Sequence, residues 1–260
     1  MQLVVPMAGL GQRFVDAGFT LPKPLIPVDG LPMVVRAIAD LPAAETVVFV
    51  VHPEHVRRHR IDEVVAEHVA NCHIIIAPGL TAGQACTVRL ATAELDPHKP
   101  VLVAACDNAH LYDDNRLAAL TTDPAIDCLI WTYRHDPRVL ARPEAHGWVK
   151  TRPGTNNVEF VSCKRPISTT PLEDHAVSGC FWFRTAQIML DGIDALVAAD
   201  QRVNNEFYLD VVPNMLLAAG RRVCVFEVDK YIGWGTPHEL ADYKRWERYF
   251  TARRCELVGS

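Results

Sequence analysis

The chain lacks an excess of positive charge. Its 26 lysines and arginines stand against 31 aspartates and glutamates, a formal net charge of -5. That excludes the broad basic field which nucleic-acid binding needs, so an anionic ligand would depend on local cations. No apolar stretch is long and uninterrupted enough to span a bilayer, so no membrane role is expected. The eight cysteines contain no Cys-x-x-Cys pair, which argues against a zinc ribbon. Cys72, Cys86, Cys106, Cys128, Cys180 and Cys224 lie within or beside apolar runs and read as small buried hydrophobes of a reducing cytosol. No leader-like pattern precedes Met1-Gln2-Leu3, which already reads as strand, and a cytoplasmic location is expected. No low-complexity linker, repeat or charge block divides the 260 residues, and a 49% hydrophobic content supports one large core. No Ser-His-Asp triad or activated Cys-His pair stands out, so covalent catalysis is not expected.

What is present is alternation. Apolar runs at 3–6, 47–51, 73–76, 101–105 and 128–133 read as strands, separated by helical patterns at 33–41, 54–70, 82–93 and 115–121. Such alternation predicts a Rossmann-like α/β fold, a mostly parallel sheet sandwiched by helices, with ligands gathered at the carboxyl ends of the strands. The second half changes character. Strands are expected at 147–151, 158–163, 178–184 and 222–228, and helices at 206–219 and 237–253. A single domain is therefore expected: residues 1–135 mainly bind one ligand, an inserted β-rich half at 136–236 binds another, and 237–260 form a C-terminal helix.

The first turn carries the most chemistry. Ala8-Gly9-Leu10-Gly11-Gln12-Arg13-Phe14 follows the first apolar run, and Pro22-Lys23-Pro24-Leu25 comes soon after. Two glycines let the backbone turn sharply and approach a ligand, and amides freed at such a turn favour anions. Arg13 and Lys23 add two cations. The simplest ligand for this combination is a phosphate chain. A P-loop would close with Gly-Lys-Ser/Thr, which is missing here, and a dinucleotide fingerprint would place a glycine at Phe14 and an acid after the second strand, where His52-Pro53 stands. Asp107, following the run 101–106, is placed either to hold a divalent cation or to cap a helical segment at 108–114; its position alone leaves both open. Asp113 and Asp114 read as acids at a helix start. His52, His55 and His59 share helical spacing with Arg57, Arg58 and Arg60, whose charges would oppose a metal ion, so an exposed helix face is expected.

Gly9-x-Gly11-x-Arg13 followed by Pro22-Lys23-Pro24 resembles the signature of the sugar-phosphate nucleotidyltransferases, also called nucleotide-sugar pyrophosphorylases, and further landmarks extend the resemblance over nearly the whole chain. It implies a Mg²⁺-dependent enzyme that joins an NTP to a phosphorylated small molecule and releases pyrophosphate. It implies Arg13, Lys23, Asp107 and Lys164 as catalytic residues, with Asp107 the metal ligand. Ala8, Gly9, Leu10, Gly11, Gly83, Gln84 and Asn108 would contact nucleotide; Gly147, Lys164, Gly179, Glu206 and Trp234 would contact the acceptor. His110, near Asp107, is a candidate to support it.

The departures from that pattern are specific. Cys163-Lys164-Arg165-Pro166 stands where the family has Glu-Lys-Pro, so the phosphate-gripping lysine remains while the sugar-binding acid is absent. Tyr231-Ile232-Gly233-Trp234-Gly235-Thr236-Pro237 resembles Trp-x-Asp-x-Gly-Thr-Pro, with Gly233 in place of a second metal-binding aspartate; Asp229 is a possible substitute. Such Gly-Trp-Gly-Thr-Pro variants look like a branch of capsule and surface-polysaccharide biosynthesis, some members of which use CTP. The base-reading glutamine of thymidine and uridine enzymes is missing before Thr81-Ala82-Gly83-Gln84, where Ile76-Ala77-Pro78 stands, which also favours CTP. Two alternatives remain: a glycosyltransferase on a related sheet, although Asp107-Asn108-Ala109 lacks its Asp-x-Asp, or a catalytically silent nucleotide-binding regulator.

Overall fold

The computed structural model describes residues 1–258. Its first half runs β1 (Gln2–Met7), α1 (Gln12–Asp16), a short hairpin of β2 (Pro27–Val28) and β3 (Leu31–Pro32), α2 (Met33–Ile38), β4 (Thr46–Val51), α3 (Pro53–His59), α4 (Ile61–His68), β5 (Cys72–Ile76), α5 (Gln84–Arg89), β6 (Val101–Val103), β7 (Asn108–Leu111) and α6 (Asp114–Thr122). The second half runs β8 (Cys128–Tyr133), β9 (Gly147–Thr151), β10 (Val158–Cys163), β11 (His175–Phe183), α7 (Ala186–Ala198), α8 (Val212–Ala218), β12 (Val223–Glu227), β13 (Lys230–Gly233) and α9 (Pro237–Val258). Both halves share one nine-stranded sheet. Strands β6, β1, β4 and β5 are parallel neighbours, as the alternating pattern predicts. Strand β11 runs antiparallel to them.

Alternation along the strands divides the core between two sheet faces. Val4, Val48, Val50, Val101 and Val103 pack with α5, α7 and α8 on one face; Leu3, Val5, Phe49, Val51 and Leu102 pack with α4 and α6 on the other. A smaller cluster of Phe14, Ile26, Met33, Trp234 and Leu240 ties α1, the hairpin and α9 together. Strand β11 carries the feature that shapes the site. Its start pairs with β9 and its end with β6 along one edge, while β8 runs along the other. Between Val177 and Phe181 the register breaks, and Gly179 there adopts φ 92° beside Ala105.

Several elements differ from expectation for local reasons. The helix expected at 54–70 is two helices, because Arg60 takes a left-handed conformation between them. His52 and His55 are buried rather than on an exposed face, and His52 Nδ1 accepts from the Glu54 amide as a helix cap. The helix expected from 206 begins only at Val212. Phe207 instead lies outside any helix, its amide donating to Ala82 O at 2.8 Å and its carbonyl accepting from the Ala85 amide at 3.0 Å. Pro213 then falls in the first turn, where its missing N–H costs nothing. Residues 108–111 are strand, not a helical start, pairing with β13. Helix α7 has no counterpart in the sequence reading; Thr185 caps it by accepting from the Ile188 amide. No disulfide occurs among the described residues, and no helix among them is long and apolar enough to cross a membrane.

Candidate active site

The glycine turn leaves β1 at the carboxyl edge of the sheet. Gly11 caps α1 at φ 65°, a left-handed conformation that costs glycine little. A Cβ on Gly11 would lie 3.1 Å from Lys23 Cβ, so the turn and the Pro22-Lys23-Pro24 loop pack directly together. Pro22 precedes a single 3-10 turn, Lys23–Leu25, which fixes the lysine's backbone. From there Lys23 Nζ reaches Asp107 Oδ2 at 2.7 Å, with side-chain exposures of 23% and 21%. Burial works most strongly against the Lys23 charge, yet the charge and hydrogen bond of Asp107 outweigh it and hold the ammonium above the ordinary lysine range. Lys23 is thus a fixed cation. Arg13 is exposed on α1 and close enough for its charge to oppose that of Lys23. Burial raises the neighbouring Cys106 thiol to about 11, so it stays neutral.

A cavity of about 240 Å³ opens beside this pair, lined by Ala8, Gly9, Gly11, Lys23, Thr81, Gly83, Gln84 and Glu206. Leu10 lies outside this lining and is 41% exposed. Gly83 allows a close backbone approach, since a Cβ there would come within 2.6 Å of Phe207 backbone atoms. That contact brings Glu206, expected at the acceptor, into the same cavity as Gln84 and the glycine turn.

The other cation sits on the second half. Lys164 follows β10 at φ 59°, and its Nζ donates to Ala145 O at 2.5 Å and lies 5.5 Å from the centre of the Tyr208 ring. The Tyr208 hydroxyl lies close enough to Glu206 for that carboxylate to add to the effect of burial in raising it to about 12, which links Lys164 to the edge of the cavity. Around Lys164 burial pushes the titratable groups toward their neutral forms. His146 is lowered to about 4 by burial and then by the Lys164 charge. Asp210 is raised by burial against the pull of Lys164. The Cys163 thiol is raised by burial and then by the nearby Asp210 charge. Gly147 lies against the Asp210 carboxylate with no space for a side chain.

Three expectations are corrected. Trp234 cannot wall an acceptor: its side chain is fully buried, packed on Tyr243 with ring centres 5.4 Å apart, in the cluster that holds α9. Asn108 is 3% exposed, and its Nδ2 donates to Ser178 O at 2.8 Å, so its side chain pins the register break of β11 rather than facing nucleotide. Asp229 does not replace the acid absent at Gly233. It pairs with Arg116 at 3.0 Å and sits just before β13, four residue steps from Gly233, about 13 Å along the strand. His110 is buried with neither ring nitrogen bonded, and burial lowers it to about 4.

One residue near the site was not anticipated. The amide of Trp234 donates to Asp107 O at 2.8 Å, which draws the 233–236 loop against Asp107. Glu239, three residues after Thr236, stands next to that loop and accepts from Thr236 Oγ1 at 2.9 Å. The Thr-x-x-Glu spacing is a helix-capping signal that the sequence carries openly.

A phosphate-sized glycine turn, a fixed lysine and a carboxylate at the carboxyl edge of a parallel sheet define an α/β protein built to hold a phosphorylated nucleotide. The family model of the MobA-like NTP transferase domain matches residues 3–178. The chain belongs to this family of NTP transferases. Among solved structures it is similar to a nucleoside-diphosphate-sugar pyrophosphorylase from Vibrio cholerae RC9, at 21% identity over 94% of this chain and 99% of that one, with a TM-score of 0.75. It is also similar to the inositol-1-phosphate CTP transferase from T. maritima, at 15% identity over 94% and 93% of the two chains, with a TM-score of 0.72. No curated protein sequence matches significantly.

Proposed function

We propose that the chain transfers a nucleotidyl group, with CTP as the favoured donor, to a phosphorylated small acceptor, and that it serves the cytoplasmic synthesis of surface-polysaccharide precursors. The observation that carries this reading is the Lys23–Asp107 pair at 2.7 Å, packed under the glycine turn at the cavity. In this reading the triphosphate lies along Gly9 and Gly11, with Gly83 and Gln84 against the base. Lys23 and Arg13 draw charge from the departing pyrophosphate. Lys164 holds the acceptor phosphate, one of whose oxygens attacks the α-phosphorus in line. No general base is needed, because a phosphomonoester with a second pKa near ~6 is mostly a dianion at neutral pH. Catalysis is then positioning and charge neutralisation.

The residues present fit a divalent cation. Asp107 offers a hard oxygen donor beside the turn, and the Gly235 backbone packs closely on it: a Cβ there would lie 3.0 Å from Asp107 Oδ2, so the absent side chain keeps that oxygen uncovered on this side. When bound, Mg²⁺ supplies neutralisation of triphosphate charge. The name of the T. maritima relative, a CTP transferase acting on inositol 1-phosphate, supports both the cytidine donor and an acceptor other than a hexose phosphate. Cys163, which stands where the family pattern has a sugar-binding acid, supports the acceptor part of this reading. The test is a pyrophosphate-release screen in Mg²⁺. It crosses CTP, UTP, dTTP, ATP and GTP with phosphorylated sugars, polyols, amino acids and phosphonates. Pyrophosphate from CTP with one acceptor class is expected. Free NDP from a nucleotide sugar, with no pyrophosphate from any pairing, would make the protein a glycosyltransferase instead.

A further inference from the structure

We propose that Glu239 supplies the second carboxylate of a divalent-cation site shared with Asp107, in the place left by the acid absent at Gly233. The inference rests on the nucleotidyl-transfer reading and goes beyond it by naming a ligand from outside the motif. A Cβ on Gly233 would lie 3.2 Å from Glu239 Oε1, so the Glu239 carboxylate already stands where a side chain at 233 would begin. A Cβ on Gly235 would lie 3.0 Å from Asp107 Oδ2 and 3.7 Å from Glu239 Oε2. Both carboxylates therefore lie within 4 Å of one point beside Gly235, whose lack of a side chain lets the loop approach them this closely. The loop is held there by the Trp234 amide on Asp107 O, at 2.8 Å.

The Glu239 side chain is aimed by its own helix start. Thr236 Oγ1 donates to Glu239 Oε2 at 2.9 Å and accepts from the Glu239 amide at 3.2 Å. Oε2 is thereby fixed toward Gly235, while Oε1 lies toward Gly233. Two carboxylates completed by substrate phosphates are a donor set that suits Mg²⁺ or Mn²⁺. The other nearby acid, Asp229, is paired with Arg116 instead.

A capping role alone would be equally well served by glutamine, which makes Glu239→Gln informative. The measurement is isothermal titration of the intact chain with each of CTP, UTP, dTTP, ATP and GTP, in Mn²⁺ and in EDTA. In the wild type, Mn²⁺ should tighten binding of the preferred nucleotide. Glu239→Gln should lose at least ~10-fold of that gain while its affinity in EDTA stays equal or improves, because a negative charge beside the triphosphate has been removed. Thr236→Val, which breaks the cap but keeps the carboxylate, should retain most of the gain. A full metal gain in Glu239→Gln would overturn the proposal, and so would equal losses in Glu239→Gln and Thr236→Val. A wild type that binds no nucleotide would instead remove the underlying reading, and that is seen before any variant is made.

Discussion

The two cations of the site are held in opposite ways. Lys23 is clamped by a charged partner: Asp107 lies 2.7 Å away and holds the ammonium charged in a partly buried place. Lys164 has a carbonyl and an aromatic face for partners, and the titratable groups about it, His146, Asp210 and Cys163, are all pushed toward their neutral forms by burial. The Lys23 end is thus internally balanced and ready for a highly charged ligand that brings its own cation. The Lys164 end has a cation whose charge is less fully answered, which suits an incoming phosphate. In the proposed function the contrast separates a triphosphate end, whose motif keeps Arg13 and Lys23, from an acceptor end where Cys163 stands in place of an acid.

Breaking the Lys23 end should have the largest effect. Lys23→Ala and Asp107→Asn are each expected to lower kcat/KM by about 10²–10³-fold, the scale of losing one electrostatic contact to a transition state. Rates of pyrophosphate release check this, and near-normal release in both variants would sink the assignment. The next effect belongs to the other end. Lys164→Ala should lower kcat/KM for the acceptor by about 10²-fold, expressed chiefly as a raised acceptor KM, while the KM for nucleotide stays within about twofold. If both KM values rose together, the two ends would not be separate sites.

The same contrast explains which parts the sequence made readable. The Lys23 end is local. A strand, a two-glycine turn, a proline-framed lysine and an acid after the next core strand all leave contiguous signals, and β1, β4, β5, β6 and β8 follow from their apolar runs. The acceptor end depends on long-range pairing that no local pattern carries. The break in β11 at Gly179 arises because β9 and β6 share one edge of that strand. Phe207 stays outside the helix because its backbone bonds to Ala82 and Ala85, which overrides the helical spacing after Glu206. Trp234 was misplaced for a related reason. An aromatic residue in a loop motif looks like a ligand wall until the packing of α9 shows it inside a core. Asn108 is similar: its position beside Asp107 is functional in appearance, but its amide is taken by Ser178 O.

Trp234 therefore offers a sharper test of where function stops and folding starts. Trp234→Ala should destabilise the protein by about 3–5 kcal/mol, the usual range for emptying a buried tryptophan site. The milder Trp234→Phe should leave the acceptor KM within about twofold. Chemical denaturation and steady-state kinetics on the two variants check both halves. A raised acceptor KM in a stable Trp234→Phe variant would return this residue to the acceptor site.

The smallest expected effect lies in two histidines, one at each end. His110, on β7 behind Asp107, and His146, beside Lys164, are both lowered to about 4, from an ordinary value of 6.5. A histidine whose folded pKa is depressed lets the unfolded chain take up protons first. Its neutral form supports the fold fully above about pH 6.5, and that support is lost as pH falls toward 4. For fully buried His110 the loss is of the order of 3 kcal/mol across that window, and a His110→Phe variant should show a flatter stability curve there. His146 should behave differently, because part of its depression comes from Lys164. An acceptor phosphate bound to Lys164 would offset that charge, so the His146 pKa should rise on adding acceptor while His110 stays still. NMR titration of the two imidazoles, with and without a phosphorylated acceptor, measures the difference directly. Equal shifts at both histidines would mean that the phosphate does not settle at Lys164.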